Sequence, residues 1–92
     1  MNKHWEYEDG IYRLYFNQFY DDELIAELQY SDNYDSFVAD IDIYRYRNEE
    51  FIDLDISKVD EAKEMVIDMI EQHITDELEY YKNMLEKFID NE

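Results

Sequence analysis

Trp5-Glu6-Tyr7-Glu8-Asp9-Gly10-Ile11-Tyr12-Arg13-Leu14-Tyr15-Phe16 is the stretch from which the fold can be built. Gly10 is the single glycine of the chain, and there is no proline. Asp9-Gly10 suits a two-residue hairpin turn, because both central positions of that turn take positive φ. Pairing outward from it sets Glu8 against Ile11, Tyr7 against Tyr12, Glu6 against Arg13 and Trp5 against Leu14. This register gathers Trp5, Tyr7, Tyr12, Leu14 and Phe16 on one face and leaves Glu6 and Arg13 as a cross-strand charge pair on the other.

Alternation continues beyond the hairpin. In residues 23–30, Leu24, Ala26, Leu28 and Tyr30 alternate with Glu23, Ile25, Glu27 and Gln29. Residues 31–35, Ser-Asp-Asn-Tyr-Asp, form a polar turn. A third strand over 36–46 directs Phe37, Ala39, Ile41 and Ile43 inward, and Val38, Asp40, Asp42, Tyr44 and Tyr46 outward. Residues 47–50 turn again. A fourth strand over 51–56 buries Ile52, Leu54 and Ile56 and exposes Phe51, Asp53 and Asp55. Strands joined by short turns make an antiparallel meander with one buried face.

From residue 57 the period changes to that of a helix. Ser57-Lys58-Val59-Asp60 resembles a cap with an acid three residues on. Val59, Ala62, Val66, Met69, Ile70 and Ile74 form an apolar stripe that resumes at Leu78, Tyr81, Leu85 and Phe88. Run unbroken from 58 to 90, the helix would be on the order of 50 Å long, longer than the strands it covers. Thr75-Asp76-Glu77-Leu78-Glu79 offers fresh capping chemistry, so a break is expected near Ile74–Asp76. Without it, the overhang would pair with a second copy. The expected fold is α+β: an antiparallel meander of four to five strands, packed on one face by a C-terminal helix or broken helical pair. Residues 1–92 read as one domain, strand-rich over 1–56 and helical over 57–92.

Composition narrows the function. There are 26 Asp and Glu against 8 Lys and Arg, a formal net charge of −18, together with ten Tyr. Solubility needs only about 2–8 charges on a small domain, and the excess strains the compact state by self-repulsion. Disordered acidic chains are poor in aromatics, whereas 17% of this chain is aromatic. A fold is therefore expected, with stability that rises as salt screens the carboxylates. There is no Cys, hence no disulfide and no thiolate metal site. No run approaches the ~18 apolar residues of a membrane span, and the opening residues lack the apolar core of a signal peptide. A cytoplasmic setting is expected.

With the helix on the buried face, the opposite face of the sheet carries Glu27, Asp40, Asp42, Tyr44, Tyr46, Phe51, Asp53 and Asp55. These are the candidate partner-binding residues. Carboxylates two apart on a strand stand roughly 6.6 Å from each other on one face. Asp40 with Asp42, and Asp53 with Asp55, would form two rows that imitate a phosphate backbone. The rings beside them can stack on arginine. The bland alternative is a solvated acidic face with surface rings. Net charge and clustered exposed rings tilt the choice toward an interface.

Catalysis finds little support. His4 and His73 read as surface or half-buried residues, Ser31, Ser36, Ser57 and Thr75 as turn and cap residues. One glycine cannot build a phosphate loop. Asp40-Ile41-Asp42 and Asp53-Leu54-Asp55 lack the spacing of a calcium loop. No enzyme activity, cofactor or metal is expected.

In size, charge, absence of Cys and sheet-plus-helix plan, the chain resembles the small acidic phage-encoded inhibitors of host defence, the anti-CRISPR and anti-restriction proteins that act as DNA mimics. The resemblance implies a basic nucleic-acid-binding enzyme as partner, such as a Cas effector or nuclease whose cleft is lined with Arg and Lys. The net charge itself argues against direct contact with nucleic acid or membrane, since both are anionic and would repel the chain. Two rivals remain: an immunity protein or antitoxin that neutralises a basic nuclease toxin, and an acidic homo-oligomeric module, for which a homodimer is the simplest form.

Overall fold

In the computed structural model, residues 2–17, 20–42 and 51–90 are described. Five strands, β1 (Lys3–Glu8), β2 (Ile11–Asn17), β3 (Asp22–Ser31), β4 (Ser36–Ile41) and β5 (Ile52–Asp53), form one sheet in the order β1-β2-β3-β4-β5. Every neighbouring pair is antiparallel. One helix, α1 (Val59–Asp90), follows and packs on β3 and β4. The chain is thus an α+β meander with one C-terminal helix.

The hairpin register is as the turn dictates. Glu8 faces Ile11, Tyr7 faces Tyr12, Glu6 faces Arg13 and Trp5 faces Leu14. Asp9 (φ 53°) and Gly10 (φ 82°) both take the left-handed conformation the turn requires. The side-chain pairing differs: Glu6 reaches within 3.1 Å of His4, and Arg13 turns to Glu27 at 3.4 Å. Of the ring face, Trp5 and Tyr12 pack against the core, while Tyr7 is 62% exposed.

The core forms where the sheet's inner face meets the helix. Leu14, Leu28, Ile41 and Val66 are the largest fully buried side chains. Ala26, Ala39 and Ala62 are also buried there. Their small side chains let the helix lie close to β3 and β4. At the edge, the Lys63 amine stands 4.7 Å from the Tyr12 ring centre and 5.6 Å from that of Trp5. The charge is shared over two ring faces while its alkyl stem covers them.

A bulge corrects the reading of β3. The register of β2 and β3 shifts between Leu14, which faces Ala26, and Tyr15, which faces Leu24. Ile25 is therefore the extra residue, and the alternation changes phase there. Leu24, expected inward, is 39% exposed, and Ile25, expected outward, packs against the core. Val38 was also expected outward and exposed, yet it is 4% exposed. It lies outside the core cluster beneath the helix, so the outer face has a buried spot of its own.

The last strand is shorter than its pattern. Phe37 donates its N–H to Ile56 and accepts from that of Leu54, at 2.8 and 3.0 Å. Asp55 between them takes φ 55°, so Ile56 rejoins the pairing after a kink rather than continuing a regular strand. The third strand, expected to continue to Tyr46, ends at Ile41; Asp42, expected on it, already leaves the strand. Ile43, Tyr44 and Tyr46 lie outside the described residues.

The expected helix break is absent. α1 runs unbroken for 32 residues, about 48 Å. The polar residues read as caps are spent along the helix instead. Gln72 Nε2 donates to Asp76 at 2.9 Å, and His73 lies 3.1 Å from Glu77, both four residues apart. At the other end, Ala62 N–H bonds to the carbonyl of Lys58 at 3.0 Å. Lys58, not Ser57, is therefore the capping residue, and Asp60 and Glu61 in the first turn favour the helix dipole. Only Ala62 and Val66 of the helix are buried. From Ile74 onward it runs past the sheet, and the molecule measures 56 × 31 × 21 Å.

Candidate protein-binding surface

The face of the sheet turned away from α1 is set by strand alternation. Inner residues such as Leu14, Leu28 and Ala39 pack under the helix, so their neighbours in sequence point outward. Register then builds a row across three strands: Arg13 on β2 faces Glu27 on β3, and Glu27 faces Asp40 on β4. Asp42 follows the end of β4, and Glu27, Asp40 and Asp42 line one shallow depression with Leu24, Ile25 and Ala26. Three of the expected site residues thus converge.

They are not equivalent. Glu27 is half-buried and partly neutralised by Arg13. Asp40 is half-buried, and Asp42 is exposed. The most accessible negative charge of the depression is therefore that of Asp42. Phe51, 49% exposed, precedes Ile52, which pairs with Ala39. The same register carries Phe51 toward Asp40 on the outer face.

The expected second row does not form. Asp53 and Asp55 are separated by the kink rather than by a regular strand step. The Asp53 carboxylate accepts from the Ser36 hydroxyl and, at 2.9 Å, from the Asp55 N–H. These bonds, that of Ser36 first, hold its carboxyl below the usual range. Asp53 is thus a structural acceptor that fixes the kink, and Asp55 is the residue it positions. Tyr44 and Tyr46 fall outside the described residues.

No family model, characterised protein or solved structure matches this chain.

The remainder of the outer face is acidic at its β1 edge as well. Glu6 and Glu8 are exposed there, and His4 stacks on Tyr15 with ring centres 5.5 Å apart. Arg13 as the counter-charge of Glu27 had no signal in alternation, since its partner depends on which strand lies beside β2. Ser36, buried under Asp53, reads as a turn residue in sequence. The bulge leaves a trace: Leu24-Ile25-Ala26 is an apolar triplet that fits either phase of a strand. Among the described residues, no group of three or more His, Cys, Asp or Glu is placed to hold a metal ion. No helix among them is long and apolar enough to cross a membrane.

Proposed function

We propose that this protein is an acidic inhibitor. It binds a basic nucleic-acid-binding enzyme of a host defence system, of which a Cas effector is the type, and occupies the enzyme's nucleic-acid site by mimicking DNA. The observation that carries this reading is the convergence of Glu27, Asp40 and Asp42 on the open face of the sheet, beside the exposed Phe51, in a chain of net charge −18. The sheet holds Glu27 and Asp40 in place, so little ordering entropy at these two opposes binding. Long-range attraction speeds encounter with an Arg- and Lys-lined cleft. The ring supplies the desolvated anchor that charges at a rim do not. Catalysis has no part in this reading, and the protein acts in the cytoplasm of the cell that holds its target.

The test is capture of the partner from host lysate at low and at high salt, followed by competition between this protein and nucleic acid for the captured enzyme. Salt-sensitive capture of one basic nucleic-acid enzyme, with nucleic acid and this protein excluding each other, supports the proposal. Simultaneous binding of both refutes mimicry. Phe51→Ala should weaken the complex more than Asp42→Asn, read as the dissociation constant.

A further inference from the structure

We propose that two copies of this chain pair through the overhanging half of α1, antiparallel, so that the tip of each helix closes an apolar cleft at the root of the other. The inference is independent of the inhibitor reading, because it uses the opposite side of the molecule.

The overhang carries an apolar stripe that is exposed among the described residues. Ile74, Leu78, Tyr81, Met84, Leu85 and Phe88 are 47–70% exposed. Ile74, Leu78, Tyr81, Leu85 and Phe88 step by four, three, four and three residues, the spacing of a two-helix seam. At roughly 100 Å² each, from the 150–250 Å² of a whole aromatic side chain, these six expose on the order of 600 Å². With the cleft and the aliphatic stems beside the seam, each copy approaches the ~800 Å² of a stable interface.

The occupant follows from the root of the overhang. Where α1 leaves the sheet, Leu14, Phe16, Ile25, Ile67, Ile70 and Ile74 line an apolar cleft of about 220 Å³. Lys3 and Glu71 also line it, with their charged groups 3.9 Å apart. In an antiparallel seam centred between Leu78 and Tyr81, Ile74 meets Leu85 of the partner subunit, and position 71 meets Phe88 of the partner subunit. The bulkiest ring of the tip then arrives at the cleft, and two-fold symmetry repeats the fit. Charge selects the same direction. An antiparallel pair carries the two acidic sheets to opposite ends, whereas a parallel pair sets them side by side. Across the antiparallel seam the flanking contacts are Thr75 with Lys82 and Glu77 with Met84, so no like charges are opposed.

Sedimentation of the full chain at micromolar concentration and moderate salt tests the pairing. Twice the chain mass of 11.5 kDa, falling to the single mass in Leu78→Glu/Leu85→Glu with the sheet's circular-dichroism signal kept, supports it. A single mass throughout, a larger assembly, or a dimer that survives the double substitution overturns it. Direction is read by disulfide trapping, since the chain has no cysteine of its own. Glu77→Cys/Met84→Cys should give a reducible dimer under mild oxidation. Those two cysteines lie about 10 Å apart within one helix and cannot bridge there. Phe88→Cys should give none, its copies standing about 25 Å apart along the seam. Trapping of Phe88→Cys, or of neither variant, overturns the antiparallel arrangement.

Discussion

Asp53 shows how a residue chosen for its charge can serve a different end. Its carboxylate is consumed by the Ser36 hydroxyl and the Asp55 N–H. Because its folded-state pKa lies below the ordinary aspartate value, its contribution to stability is complete above about pH 4 and disappears as pH falls through the lower folded value. Ser36→Ala removes the main cause of that shift. Its melting temperature should fall below that of the parent at pH 7, and the gap should narrow toward pH 2, as thermal melts at the two pH values would record. Asp42 is the contrasting case. It is exposed, so Asp42→Lys should abolish partner binding, read as the dissociation constant, by reversing the charge that meets the partner. The half-buried Asp40 tolerates less. Leu54 is 4% exposed, and Leu54→Asp would bury an unpaired charge at a cost of about 4 kcal/mol or more. A cooperative melt near the parent temperature would contradict that.

Among the elements, the hairpin was legible in turn type and register, because Asp9-Gly10 determines the two together, but not in its charge pairing, since Arg13 turns to Glu27 on the neighbouring strand. β3 was legible in extent but not in phase. Alternation assigns a face only until an extra residue enters the ladder, and the bulge at Ile25 depends on how β2 pairs, which local pattern does not carry. Ile25→Asp should therefore cost about 2 kcal/mol, while Leu24→Asp should stay within about 0.5 kcal/mol; denaturant melts of the two variants decide. The reverse ranking would mean an unbroken alternation. The helix was read correctly in its stripe and wrongly in its break. Thr75-Asp76 has capping chemistry, but neither residue breaks a helix as Pro or Gly does. The bonds to Gln72 and His73 neighbours, made within the helix, outweigh the end that would have been capped. For the candidate site, the outward placement of Glu27 and Asp40 was legible because they sit on regular strand positions; Asp42 lies just past the end of β4, and Asp53 and Asp55 were misplaced because a left-handed residue interrupts theirs.

Over the whole molecule, shape and charge are linked. The radius of gyration is 16.1 Å, against about 12 Å for a compact domain of this length. The overhang accounts for the excess. A chain of net charge −18 lowers its self-repulsion by extending, and added salt should do the same work by screening. The melting temperature should rise between about 0.1 M and 1 M NaCl, as the screening length drops from about 10 Å to 3 Å. A fall over that range would show that attractive ion pairs outweigh repulsion.

Trp5 is the only tryptophan in the chain, and it sits where Lys63 of α1 lies over the β1–β2 hairpin. Its fluorescence is consequently a built-in reporter of whether helix and sheet remain docked. Far from the overhang, the indole should ignore events at residues 74–90. An emission change on dilution would mean that the helix lifts from the sheet, whereas constant emission with falling helicity would place the loss in the distal half alone. One native chromophore thus separates undocking from fraying without any label.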